Sequence, residues 1–107
     1  MFSVHEDSGY HDVIEGVRMK TLVYGDNTLM VEFRLAKGAD LPAHRHSHEQ
    51  TGYLVSGRID LTIDGVVHAV HPGDSWCIPG DAAHSAVAYA DSVALEVFSP
   101  VREDYLP

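Results

Sequence analysis

The stretch Ala43-His44-Arg45-His46-Ser47-His48-Glu49-Gln50 decides how this chain is read. It sets three imidazoles, a carboxylate and a carboxamide within eight residues. Alternate residues of a β-strand point to one face. An extended backbone here therefore turns His44, His46, His48 and Gln50 the same way. Neutral imidazole is the commonest protein ligand for metal ions, so the stretch reads as the main half of a metal site on a β scaffold.

The flanking sequence supports that scaffold. Upstream, Lys37-Gly38-Ala39-Asp40 is a loop, and Pro42 suits an edge strand or a strand entry. Before it, Thr28 to Ala36 alternates, with Leu29, Val31, Phe33 and Leu35 on one face and Met30, Glu32 and Arg34 on the other. Arg18 to Tyr24 reads as a strand, and Gly25-Asp26-Asn27 as a turn. Downstream, Tyr53-Leu54-Val55 extends the histidine strand to Ser56-Gly57. Ile59, Leu61 and Ile63 then alternate up to Asp64-Gly65, the strongest hairpin signal in the chain. Val66 to Val70, Ser75 to Ile78, His84 to Ala90 and Val93 to Phe98 complete the strands, separated by His71-Pro72-Gly73-Asp74 and Pro79-Gly80-Asp81. No segment keeps a helical period. Short strands with turns about every 8–12 residues imply an all-β sandwich or barrel. Residues 1–16 read as an irregular N-terminal arm with room for a short strand, and residues 17–107 as the barrel with a C-terminal tail. Edge strands at the arm and tail invite pairing with a second copy, so a homodimer is expected.

A chain of 107 residues suits one domain with its own core. The formal net charge is -9, and only seven residues are Lys or Arg. That excludes nucleic acid and anionic membranes as expected partners, because phosphate binding needs clustered cations. No apolar run approaches spanning length, and the first ten residues do not read as a signal peptide. A cytoplasmic location is expected, in weak accord with the single Cys77.

The turns and histidines together resemble the cupin family. Its first motif runs Gly, five residues, His-x-His, three or four residues, Glu, six residues, Gly. Here it reads Gly38, His44-Arg45-His46, Gln50 and Gly57. Its second motif runs Gly, five residues, Pro-x-Gly, two residues, His. Here it reads Gly73, Pro79, Asp81 in place of Gly, and His84, with Ala88 where the motif ends in Asn. The resemblance implies a double-stranded β-helix, a small jelly-roll barrel. It also implies one divalent transition metal (Ni, Fe, Zn, Mn or Cu) held by His44, His46, Gln50 and His84. Gln50 replaces the usual Glu, so the ligand set would leave the ion its full charge and favour an anionic small-molecule substrate.

A narrower likeness lies at Ser92 to Leu106 and at His46-Ser47-His48-Glu49-Gln50. Both resemble the pectin and alginate degradation cupins, which convert 4,5-unsaturated monouronates to open-chain keto forms. The resemblance implies catalytic roles for Glu96, usually Asp in that group, and for Arg102. It implies a substrate-facing role for Phe98, and Arg102 would clamp the substrate carboxylate. By its parity with the ligands, His48 is assigned to the substrate or to support of the site. Plainer alternatives stand beside each reading. The histidines can be solvent-facing, Glu49 can rival Gln50, Glu96 can face solvent and Arg102 can form a salt bridge between tail and barrel. Phe98 can be core, and Tyr53, Trp76 and Cys77 read as barrel filling, with Trp76 or Tyr53 available to line the pocket. The cupin motifs alone also admit a metal-dependent dioxygenase or a non-catalytic small-molecule-binding module.

Overall fold

Strict alternation is the main organising signal, and the computed structural model, which describes all 107 residues, turns it into two antiparallel sheets. The strands are β1 (His11–Ile14), β2 (Val17–Tyr24), β3 (Leu29–Leu35), β4 (Asp40–His44) and β5 (Glu49–Ser56). They continue as β6 (Ile59–Ile63), β7 (Val66–Val70), β8 (Ser75–Ile78), β9 (His84–Ala88) and β10 (Ser92–Ser99). A 3-10 turn at Glu103–Tyr105 is the only helical element. One sheet has the order β1-β2-β3-β10-β5-β8, and the other β4-β9-β6-β7. No helix is long and apolar enough to cross a membrane.

Three strands, β3, β6 and β10, bury the face their pattern specifies. Leu29, Val31 and Leu35 are buried on β3, Ile59 and Leu61 on β6, and Ser92, Ala94, Glu96 and Phe98 on β10. Twelve buried apolar residues form the main core between the sheets, with Phe33, Leu41, Ile63 and Trp76 packed on it. Met19, Leu29, Val31 and Phe98 form a second cluster, covered by Tyr105 and Val101 of the tail. Asp64 (φ 47) and Gly65 (φ 82) close the β6–β7 hairpin, with Ile63 opposite Val66. Two consecutive positive φ angles define the turn that matches strand twist.

The histidine stretch is not one strand. β4 ends at His44 and β5 begins at Glu49, so the chain leaves the four-stranded sheet for the six-stranded one across residues 45–48. The alternation argument therefore holds within β5, where Glu49 is exposed and Gln50 buried, but does not orient His46 or His48. The crossing is tied down by the Asp81 N–H, which donates to the His46 carbonyl at 2.7 Å. Asp81 sits at φ 65, a left-handed position that favours Gly. Tyr53 and Cys77 face outward rather than filling the barrel. Residues 11–14 of the arm pair with β2 as β1.

Candidate metal centre

A bulge makes the first half of the site. β4 is an edge strand of its sheet, and its register with β9 shifts between Leu41 and His44, around Pro42. An extra residue in one strand re-aims the side chains beyond it. His44 thus lies directly opposite His84, with ring centroids 4.1 Å apart. The inter-sheet connection brings His46 to 5.0 Å from His84 and 5.9 Å from His44. Each of the three offers a ring nitrogen, and these atoms all lie within 4.8 Å of one another.

The hydrogen bonds orient two of the rings. His44 Nδ1 lies 3.0 Å from the Pro42 carbonyl, and His84 Nδ1 lies 2.9 Å from the Ala82 carbonyl. A carbonyl only accepts, so each Nδ1 carries the proton and each Nε2 keeps its lone pair. His84 Nε2, both His46 nitrogens and Gln50 Oε1 are buried without any partner. Orphaned buried polar atoms are costly and call for a ligand. Burial holds the His84 imidazole below its ordinary pKa, and burial followed by the nearby Arg102 charge does the same for His46. Both effects keep lone pairs free at neutral pH. This donor set fits a divalent transition metal, and three histidines can hold it.

The six-stranded sheet supplies the opposite wall. Gln50 on β5 pairs in register with Phe98 on β10, and Glu96 follows two residues away on the same face. Gln50 is 6% exposed and Glu96 7% exposed. Desolvation pushes the Glu96 carboxyl up to about 8, against the opposing pull of the Gln50 amide and the Trp76 indole. Trp76 Nε1 donates to Glu96 Oε1 at 3.1 Å, whereas Oε2 has no partner. Phe98 is 1% exposed and meets His46 edge-on at 5.8 Å, so it is core and site wall together.

Arg102 reaches the same cavity from the tail. Its guanidinium lies 3.9 Å from the centre of the Tyr105 ring and 5.2 Å from that of Phe98. Its Nε and one terminal nitrogen hold the two Asp104 oxygens at 3.2 and 2.8 Å. The cavity is about 280 Å³ and is lined by His44, Gln50, His84, Glu96, Phe98 and Arg102 at its polar end, with apolar strand residues beyond. His48 is outside this lining, its ring 5.7 Å from His46 and its Nδ1 buried without a partner. Trp76, read from the pattern as barrel filling that could line the pocket, lines this cavity and donates to Glu96. The parity of Ser75-Trp76-Cys77-Ile78, with Ile78 buried, was its only local signal.

Residues 31–99 match the Cupin_2 (cupin domain) family, and the chain belongs to it. Among curated proteins it is similar to the pectin degradation protein KdgF of Dickeya dadantii (strain 3937). The two are 27% identical over 107 residues, covering 98% of this chain and 97% of that one. The structure of KdgF from Halomonas sp. superposes with a TM-score of 0.93 at 30% identity, covering 99% of this chain and 98% of that one. An RmlC-like cupin from Shewanella frigidimarina superposes at 0.92 with 31% identity, over 98% and 95% of the two chains.

Proposed function

We propose that this cupin is a metal-dependent enzyme that isomerises a small anionic sugar derivative, converting a 4,5-unsaturated uronate to its open-chain keto form. The carrying observation is the buried Glu96 carboxyl on a cavity that is also lined by the Arg102 guanidinium and by His44 and His84, two of the three convergent histidines. Near-full-length similarity to a pectin degradation protein supports the substrate class.

The reaction moves one proton and needs no external reactant. The bond between C1 and the ring oxygen opens as the C1 hydroxyl loses its proton, which leaves an aldehyde at C1 and an enolate at C5. C4 then takes a proton and C5 becomes the ketone. A divalent ion held by His44, His46, His84 and Gln50 would supply Lewis acidity toward the sugar oxygens. Arg102 clamps the substrate carboxylate. Glu96, still protonated near neutral pH, delivers its proton to C4 and is replenished by the proton from C1. Phe98 closes the wall behind His46 and excludes water from that side. The same proposal places the protein in the cytoplasm as a homodimer, with β1 offering an unpaired edge.

The test is the purified protein on unsaturated galacturonate, following loss of the ultraviolet band of the conjugated double bond. Acceleration over buffer that chelator removes and metal restores is expected. No acceleration with metal bound overturns the proposal.

A further inference from the structure

Trp76, Gly52 and Glu96 form one row across three strands. Trp76 on β8 is the register partner of Gly52 on β5, and Gly52 is the register partner of Glu96 on β10. Side chains one strand apart ordinarily touch, whereas those two strands apart are separated by the residue between them. Here that residue has no side chain. A Cβ on Gly52 would overlap Trp76 Cε2, Nε1 and Cζ2, so the indole occupies the space a side chain would take. It thereby crosses the middle strand and places its N–H 3.1 Å from Glu96 Oε1.

A tryptophan that only filled the barrel would need neither the glycine nor a polar end aimed at a carboxyl. The contact also makes the two carboxyl oxygens inequivalent. Oε1 is held by the indole, and Oε2 is buried with no partner. We propose that Trp76 is a positioning residue for Glu96, with Gly52 as its clearance, and that the indole, acting beside the neighbouring Gln50 amide, fixes the carboxyl so that Oε2 is the oxygen that exchanges protons with a ligand in the cavity. The proton-transfer part rests on the isomerase reading. The indole–carboxyl bond does not.

Trp76 is the only tryptophan, so an indole-¹⁵N-labelled chain shows a single Nε1–H resonance. Replacing the acceptor in E96A is expected to shift that resonance, and G52A, which drives the indole off its seat, should shift it too. An unmoved resonance in E96A overturns the positioning role. In turnover of unsaturated galacturonate, W76F and G52A should each lower kcat by about 10- to 100-fold, as a small misplacement of a reacting group does. KM should stay within about twofold, and the W76F/G52A double variant should lose no more than either single change. Should G52A fail to fold, E96D replaces it. Retracting the carboxyl by one methylene should give the same resonance shift. Full kcat in folded W76F overturns the proposal. A wild-type protein inactive on the uronate sinks the isomerase reading instead, and the resonance then decides alone whether Trp76 holds Glu96.

Discussion

Replacing Glu96 by Gln separates what the buried carboxyl does from what it costs. The folded environment raises its pKa from the ordinary 4.5 to about 8, mainly by desolvation. Between those values the folded protein holds a proton that the unfolded chain has released. Stability is therefore fully present below pH 4.5 and is lost progressively as pH rises to about 8. At about 1.4 kcal/mol per pH unit, that interval carries up to about 5 kcal/mol, of which about 3 kcal/mol is already lost at neutral pH. Gln cannot ionise and still presents an Oε1 to the Trp76 N–H. In chelator-treated protein, urea unfolding of wild type and E96Q should give similar stabilities near pH 4.5. E96Q should gain by several kcal/mol at pH 8.5. The histidines and surface carboxylates titrate in both proteins, so the difference between the two curves isolates position 96. E96Q should bind metal and lose turnover, because its carboxamide has no acidic proton to give. A stability difference that stays flat across pH refutes the buried, protonated carboxyl. Retained turnover refutes its role as the acid.

Further outcomes follow from the site and from the turn beside it. H84A should abolish the rise in melting temperature that added Ni or Zn gives the wild type. That rise should persist just below pH 6.5 in the wild type, because burial holds the His46 and His84 imidazoles below their ordinary pKa. A metal response equal to wild type in H84A would remove His84 from the ligand set. R102A should lose turnover with metal content unchanged, whereas D104N, which frees the guanidinium from its own carboxylate partner, should lower KM about three- to tenfold by removing competition for the bidentate face. A higher KM would instead make Asp104 the residue that orients Arg102. D81G should raise stability by about 0.5–1 kcal/mol in denaturant unfolding, since it relieves an L-residue at φ 65, and a loss of stability would show that the Asp81 side chain compensates for its backbone.

Alternation is a local property of the backbone, and wherever the strand was real it could be read directly. It separated the buried Gln50 from the exposed Glu49, put Glu96 on the inward face between Ala94 and Phe98, and identified the inner faces of β3 and β6. The turn chemistry of Asp64-Gly65 and the spacing of the two histidine motifs carried the fold class for the same reason, because both are statements about neighbours in sequence. What failed was the assumption that Ala43 to Gln50 stays in one sheet. Nothing local marks residues 45–48 as the place where the chain changes sheets. Only the closing of one sheet on the other puts His46 against His84.

The sequence by itself therefore determined an all-β chain with its polar residues spaced for a cupin site. The tertiary structure decided three things that alternation cannot carry. It bulged β4 so that His44 faces His84, it passed an indole over Gly52 to reach Glu96, and it removed water from that carboxyl until its pKa rose to about 8. Each depends on atoms brought together from distant strands, since desolvation and cross-sheet contact exist only once the two sheets have packed.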